Sequence, residues 1–160
     1  MIVALSALLI GLVTAFTSIY SAYVDRAYAR ASVWPRLELF RSYSGNSFSY
    51  GVTNNGTGPA LIKYAKVQHD SKFIKHWREV EAFKDITQSH LGNRTLSPQG
   101  KITPVLFKGD DISAVIAADK KISIELCYCS IYEECWIIDR RSLPVAAQNC
   151  EIDKKQAFQQ

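Results

Sequence analysis

The sequence predicts a mainly β protein, in which an N-terminal transmembrane helix is followed by an antiparallel β-sandwich with one inserted helix. Three observations predict this fold class: a first segment without charged side chains, about seven short runs of alternating apolar and polar residues, and turn-forming clusters between those runs. The 160 residues divide into a membrane helix over 1–24, a juxtamembrane helix and linker over 25–35, a sandwich over 36–150 and a solvated tail over 151–160.

The N-terminal segment is long enough to cross a lipid bilayer. Met1 to Val24 exceeds the roughly 18 apolar residues that mark a transmembrane helix, and a helix satisfies its own backbone hydrogen bonds in lipid. A cleaved signal peptide is the alternative, because Ala27-Tyr28-Ala29 has the small-x-small spacing of a cleavage site. The length of the run, and the lack of Lys or Arg before it, favour an uncleaved anchor.

Two sets of residues near this segment predict contacts in the membrane. Small side chains recur on one helix face and would let a second helix approach closely, in a homodimer or from another membrane protein; a chance distribution is the alternative. This small-residue face consists of Ala7, Gly11, Ala15, Ser18 and Ala22. The lipid bilayer itself is the other predicted partner, and the residues suited to its interface are Tyr23, Arg26, Arg30 and Trp34.

Two features of the sequence give opposite indications of the side of the membrane on which the β domain lies. Arginines at positions 26, 30, 36 and 41 follow the apolar run, and the positive-inside rule then places the domain in the cytoplasm. The 4 cysteines in a small domain instead favour an oxidising compartment. Because charge acts directly on insertion, the cytoplasmic side is predicted over the periplasmic one. The net charge of +4 is mild and forms no clustered basic face, so no nucleic-acid partner is predicted.

Alternation of apolar and polar residues predicts the strands, and an approximate apolar stripe predicts the helix. The predicted strands cover residues 36–41, 47–53, 60–68, 102–107, 112–117, 121–129 and 135–138. The predicted helix is Lys75 to Leu91, whose stripe contains Trp77, Val80 and Phe83.

A glycine-rich segment, Asn54 to Ala60, lies between the second and third predicted strands. Gly56 and Gly58 are expected to supply positive φ, and Pro59 cannot donate a hydrogen bond to a neighbouring strand. A phosphate-binding loop would need a Lys-Ser/Thr pair and a helix after the glycines, and this sequence has neither. The segment, beginning at Asn54, is therefore predicted to be a structural turn.

The cysteines are Cys127, Cys129, Cys135 and Cys150. If the domain is periplasmic, a hairpin turn at Ile131 to Glu134 would let Cys129 pair with Cys135. Cys127, on the same strand face as Cys129, would then pair with Cys150, provided that the C-terminal segment returns to that sheet. In the cytoplasm all would remain thiols. The spacing suits zinc poorly and places no histidine beside a cysteine, so neither a metal site nor a catalytic cysteine is predicted.

Three segments carry a resemblance: Ala31 to Pro35 (ASVWP), Asn54 to Ala60 (NNGTGPA), and Cys127 to Ser130 followed by Cys135-Trp136. In these segments the chain resembles a family of uncharacterised bacterial proteins that have a short N-terminal membrane helix and an immunoglobulin-like β domain. The resemblance implies an immunoglobulin-like sandwich and a location in the bacterial inner membrane. It implies no catalytic residue.

The functional prediction is a non-enzymatic interaction module anchored in the membrane by a single pass. The sequence contains no recognisable acid–base or nucleophile constellation, and no cofactor or small-molecule ligand is predicted. Two alternatives stay open. One is a periplasmic, disulfide-bonded binding domain, and the other is a metal- or thiol-dependent enzyme that uses the cysteines.

Overall fold

A computed structural model describes residues 2–160 and divides the chain into two compact units between Ser32 and Val33. The first unit is a helix, α1 (Ile2–Ser32). Met1, the first residue of the predicted membrane segment, lies outside the described residues. Within the described residues, α1 alone is long and apolar enough to cross a membrane, with a mean hydropathy of 2.3 over its 18-residue window. A signal sequence near the N-terminus would meet the same criteria.

The second unit is a β domain built from antiparallel strands. In chain order its elements are β1 (Leu37–Ser44), β2 (Ser47–Asn54), β3 (Ala60–His69), β4 (Lys72–Ile74), two 3₁₀ turns (Trp77–Glu79 and Glu81–Phe83), β5 (Thr87–Gln88), β6 (Arg94–Leu96), β7 (Lys101–Lys108), α2 (Ser113–Asp119), β8 (Ile122–Cys129), β9 (Cys135–Asp139) and β10 (Val145–Ala147). One sheet has the strand order β1-β2-β7-β5. The other has the order β10-β9-β8-β3-β4, and β6 also pairs with β3. Both sheets contribute side chains to one hydrophobic core.

Strand β8 shows why the alternating pattern predicts this part of the fold well. Ile122, Ile124, Leu126 and Tyr128 point into the core and are buried. The residues that alternate with them, Ser123, Glu125, Cys127 and Cys129, point to the opposite face of the sheet. Both cysteines are nevertheless buried, so other parts of the chain cover this outer face at the end of β8.

The predicted helix over Lys75 to Leu91 is wrong. The region forms the two 3₁₀ turns and the short strand β5. The apolar residues that suggested a helix, Trp77, Val80, Phe83 and Ile86, are all buried in the core. They recur every third residue, which matches the 3.0 residues per turn of a 3₁₀ helix better than the 3.6 of an α-helix.

The α-helix of the domain lies where a strand was predicted, at residues 112–117. Asp111 precedes α2, and its carboxylate accepts hydrogen bonds from the backbone N–H and the hydroxyl of Ser113, at 2.8 and 3.0 Å. Ile112, Val115 and Ala118 are buried at a spacing of three residues, which places them on one side of a short helix. A short apolar run is equally compatible with a strand and with a helix, and the Asp111–Ser113 hydrogen bonds form a local turn at the start of the helix.

The segment predicted as a solvated tail, residues 151–160, is exposed at positions 151 and 153–155, but its last part packs on the domain. Phe158 is buried, and its ring centroid lies 4.9 Å from that of Trp77. The backbone N–H of Phe158 donates to the Ala65 carbonyl at 2.9 Å, and the N–H of Gln159 donates to the Lys75 carbonyl at 3.0 Å. One aromatic residue in a polar terminal segment thus supplies the apolar contact that holds the segment in place.

Candidate functional site

Strand β8 lies between β3 and β9 in the larger sheet, and its outer face carries Cys127 and Cys129 because they alternate with the residues that face the core. The register places Cys129 opposite Cys135, at the end of the β8–β9 hairpin. Ser130 organises the hairpin turn: its backbone N–H donates to the Glu134 carbonyl at 2.8 Å, and its hydroxyl accepts from the N–H of Tyr132 at 3.2 Å. Glu133 completes the turn with a φ of 63°.

Two disulfides link all of the cysteines. Cys129 is joined to Cys135 across the hairpin, and Cys127 is joined to Cys150 in the segment that follows β10. These are the two pairs that the sequence predicts for a domain in an oxidising compartment. The second bridge shows how the outer face is covered, because it holds the C-terminal segment against β8. The Cys127 sulfur also lies 3.9 Å from the carbonyl oxygen of Asn149.

The two disulfides form one compact cluster of sulfur atoms. The Sγ atoms of Cys129 and Cys150, which belong to different disulfides, are 3.6 Å apart. The Sγ atoms of Cys129, Cys135 and Cys150 all lie within 4.8 Å of one another. These three residues form the one grouping of His, Cys, Asp or Glu side chains in the described part of the chain that could hold a metal ion. Metal ligation requires thiolates, so these sulfurs could bind a metal only after reduction of the disulfides.

A pocket of about 400 Å³ opens beside this sulfur cluster, and we refer to it as the sulfur pocket. Cys129, Cys135 and Cys150 contribute to its wall. The remaining wall combines apolar, charged and uncharged polar residues: Leu61, Ile131, Lys63, Glu133, Glu151, Ser130, Gln148 and Asn149. The volume lies within the range of roughly 300 to 1,000 Å³ that is typical of ligand sites in proteins. The geometry therefore permits a small ligand, or a few side chains of a partner, to contact both disulfides.

A polar cluster occupies the same outer face next to Cys127. Tyr64 lies opposite Cys127 in the β3–β8 register, after a bulge between Ile62 and Tyr64. Its hydroxyl donates to Glu125 at 3.2 Å, and Lys66 forms an ion pair with the same carboxylate oxygen at 2.8 Å. Burial, followed by the nearby Glu125 charge, raises the pKa of Tyr64 to about 12. Tyr64 therefore stays protonated near neutral pH and acts as a hydrogen-bond donor.

The predicted structural turn binds the connector that leads into the domain, residues 33–36. Asn54 is fully buried, and its side-chain oxygen accepts hydrogen bonds from the N–H groups of Arg36 and Gly56, at 3.1 and 3.0 Å. Its side-chain nitrogen donates to the carbonyl of Gly58 at 2.8 Å. The Trp34 carbonyl accepts from the N–H of Thr57 at 2.9 Å. The turn residues Asn54, Gly56, Gly58 and Pro59 thus form one side of a backbone clamp, and the connector over residues 33–36 forms the other side.

The reason for glycine in this turn differs from the predicted one. None of the glycines in the described residues has a positive φ, so the expectation of positive φ at Gly56 and Gly58 is wrong. A Cβ atom at Gly58 would overlap the Val33 carbonyl group, and one at Gly56 would overlap the Trp34 carbonyl oxygen. Glycine is required because two backbone segments lie in direct contact.

The residues predicted to meet the membrane fall into two groups. The small-residue face of α1, which includes Ala7, Gly11 and Ala15, is exposed along its length. Tyr23 and Arg26 are also exposed. Trp34 lies in the connector of the β domain, where its ring stacks on Trp136 of β9 with centroids 5.9 Å apart. Its indole is therefore partly engaged by the domain itself.

The sequence pattern does not predict the buried ionic cluster that surrounds Asp119. Asp119, at the end of α2, is fully buried and pairs with both Arg41 and Arg140, the latter at 2.7 Å. The hydroxyl of Tyr50 donates to the same carboxylate at 2.6 Å, and burial together with this bond raises the pKa of Tyr50. Arg41, whose charge entered the prediction of membrane orientation, therefore also has a structural partner in the folded domain.

Comparisons with protein-family models, with curated proteins and with solved structures find no match for this chain. The sulfur pocket is therefore interpreted from its own geometry.

Proposed function

We propose that the chain is a membrane-anchored, disulfide-bonded binding domain on the oxidising, periplasmic side of a bacterial inner membrane, and that its ligand binds in the sulfur pocket. One observation carries this proposal: both disulfides form part of the wall of the same pocket. Disulfides persist in oxidising compartments and are rare where thioredoxin and glutathione keep thiols reduced. The two disulfides thus favour the periplasmic side, whereas the arginines favour a cytoplasmic module.

The arginines oppose this orientation less strongly once the fold is considered. Arg41 lies in β1 and pairs with buried Asp119. The backbone N–H of Arg36 donates a hydrogen bond to the side chain of Asn54 in the backbone clamp. The guanidinium of Arg41 therefore has a role in the fold whichever side the domain occupies, whereas the bond to Arg36 involves only its backbone. Arg26, Arg30 and Arg36 remain as the charge signal. If thiol trapping finds reduced cysteines in cells, the chain is instead a cytoplasmic interaction module.

The wall of the pocket indicates the chemistry of the ligand. Lys63 supplies a cation, Glu133 and Glu151 supply anions, and Leu61 and Ile131 supply apolar surface. Ile131 has 52% of its surface exposed, so it is available to a partner at the rim. A short peptide segment with an apolar side chain and charges of both signs would complement this wall.

The orientation is tested by trapping thiols in cells that express the full chain. Acid quenching followed by denaturation and a membrane-permeant maleimide should label none of the cysteines before reduction, and all of them after reduction. The reason is that disulfide sulfurs do not react with maleimide. Complete labelling without a reductant would overturn the periplasmic orientation and establish a reduced domain.

The binding site is tested by photocrosslinking from two equally accessible positions in the full chain. A photoreactive amino acid at Ile131, on the pocket rim, should form crosslinks to a discrete species in cells. The matched control is Tyr43 in β1, which is 59% exposed but belongs to the other sheet. Equal crosslinking from both positions would remove the assignment of the sulfur pocket as the binding site.

Two further expectations stand as parts of the proposal. An immunoglobulin-like sandwich is supported by the two antiparallel sheets that share a core. Association through the small-residue face of α1 is supported by the recurrence of small side chains on one face of the helix.

A further inference from the structure

We propose that the two disulfides form a single redox-active centre, in which the disulfide bond can move between cysteines through the contact of Cys129 with Cys150. The centre would accept electrons from an external dithiol, either a small molecule or a dithiol protein, that enters the sulfur pocket. This activity goes beyond ligand binding, although it rests on the same pair of disulfides as the proposed function.

The geometry singles out one exchange reaction. The Sγ atoms of Cys129 and Cys150 are 3.6 Å apart although no bond joins them. This separation is close to van der Waals contact, so a thiolate at Cys129 would already lie beside the sulfur that it must attack. The hairpin register holds Cys129 opposite Cys135, and the C-terminal segment brings Cys150 over the same strand end. Strand β8 therefore holds Cys127 and Cys129, and the Cys127–Cys150 bond holds Cys150 beside Cys129.

The pocket decides which sulfurs an external reductant can reach. Cys129, Cys135 and Cys150 contribute to the pocket wall, whereas Cys127 does not and is fully buried. Attack by a thiolate of the dithiol on Sγ of Cys135 forms a mixed disulfide and releases Cys129 as a thiolate. The second thiol of the reductant then displaces Cys135, so the reductant leaves as a disulfide and the protein has gained two electrons and two protons.

The released Cys129 can then transfer the remaining disulfide. Its thiolate attacks Sγ of Cys150, the Cys129–Cys150 bond forms, the Cys127–Cys150 bond breaks, and Cys127 leaves as a thiolate that takes up a proton. No electrons are exchanged with the surroundings in this step. The result is a protein with free thiols at Cys127 and Cys135, which differs from the product of simple reduction of either native bridge.

Two single variants of the full-length chain in detergent test this contact from opposite sides. Cys135→Ser leaves Cys129 free beside the Cys127–Cys150 bridge, and Cys127→Ser leaves Cys150 free beside the Cys129–Cys135 bridge. Both should yield the Cys129–Cys150 bond after incubation at pH 8. We expect it in at least about one molecule in ten, which corresponds to a free-energy difference between the isomers of no more than about 1.4 kcal/mol.

The readout is the position of the free thiol after acid quenching, maleimide labelling and digestion with trypsin and a Glu-specific protease. Cys127 and Cys129 then share one peptide, while Cys135 and Cys150 lie on separate ones. In Cys135→Ser, exchange moves the label from Cys129 to Cys127. In Cys127→Ser, exchange changes the partner peptide from that of Cys135 to that of Cys150.

The wild-type chain gives an independent measurement in case a variant does not fold. Limited reduction with dithiothreitol should produce molecules labelled on Cys127 and Cys135, the pair that only the exchanged bridge leaves free. Cys150→Ser is the matched control: Cys127 lies opposite Ile137 rather than Cys135, so the Cys129–Cys135 bridge should persist and the label should stay on Cys127. Absence of the Cys129–Cys150 bond from wild-type and variant chains would overturn the proposal. Because purified oxidised protein is used, that result would leave the test of membrane orientation unaffected.

Discussion

The chain enters and leaves the β domain in two different ways. At the entry, the connector over residues 33–36 is held by hydrogen bonds from the turn that begins at Asn54, with glycines that permit contact between two backbones. At the exit, the C-terminal segment is held by the Cys127–Cys150 disulfide and by the buried Phe158 ring. The entry does not depend on redox conditions, whereas the exit depends on them in part. The stability of the C-terminal segment that covers the outer face should therefore depend on whether the compartment is oxidising or reducing.

The largest expected effect is that of reducing both disulfides, which should loosen the exit and leave the entry intact. Each bridge is expected to contribute roughly 2 to 4 kcal/mol to the free energy of unfolding, mainly because it restricts the unfolded chain. Thermal unfolding of the full chain, monitored with and without reductant, should show a clear decrease in melting temperature. Hydrogen exchange should rise first at residues 149–151 and remain slow at residues 54–58. Uniform loss of protection would contradict the proposed difference between entry and exit.

The non-covalent part of the exit is tested by Phe158→Ala. Removal of a buried phenylalanine ring from a core typically costs about 3 to 5 kcal/mol, and here it would also remove the contact with Trp77. Chemical denaturation should show this loss even when both disulfides are intact. Phe73→Ala is the matched control, because Phe73 is 38% exposed and should lose little. An unchanged stability for Phe158→Ala would mean that the disulfide alone holds the C-terminal segment.

Local patterns predict the entry better than the exit, and the physical reason is sequence distance. The alternation in β2 and β8 reflects neighbours along one strand, so these strands follow from short windows of sequence. The turn residues 54–59 are likewise recognisable from one short window, although the bond from Arg36 to Asn54 spans 18 positions. By contrast, Phe158 contacts Trp77, and Asp119 pairs with Arg41, a residue 78 positions away. No short window contains such pairs, and the 3₁₀ turns around Trp77 depend on the same long-range packing.

The candidate site was accessible to sequence reasoning only in part. Strand geometry places Cys127 and Cys129 on one face, and the hairpin brings Cys135 close to Cys129, so the Cys129–Cys135 pair follows from the sequence under the assumption of an oxidising compartment. The Cys127–Cys150 pair needs the further assumption that the C-terminal segment returns to the same sheet. The sulfur pocket does not follow, because its wall requires the path of the chain after β10. The 3.6 Å contact between the two disulfides depends on the same path.

Disruption of the backbone clamp at the entry should have a smaller effect on stability. Comparing substitutions at two glycines shows whether close backbone contact is the cause. Gly58→Ala should destabilise the domain by roughly 1 to 3 kcal/mol, since the new methyl group would overlap the Val33 carbonyl and force the two segments apart. Gly45→Ala, in the β1–β2 turn, should change stability by no more than about 0.5 kcal/mol because no atom lies near its Cβ position. Denaturation midpoints measure both. Equal costs would show that glycine matters here for backbone flexibility rather than for close contact.

A substitution in α1 should have the smallest effect on the stability of the β domain. Such a substitution therefore tests helix–helix association without disturbing the domain. A Cβ atom at Gly11 has no other atom within 4 Å, so Gly11→Ile creates no clash within the chain. The melting temperature of the β domain should therefore stay the same. If a second helix packs on the small-residue face, the branched side chain should prevent close approach and reduce chemical crosslinking between copies in membranes. Leu9→Ile, on the opposite and equally exposed face, should leave crosslinking unchanged. Equal effects of the two substitutions would show that the small residues of α1 form no specific interface.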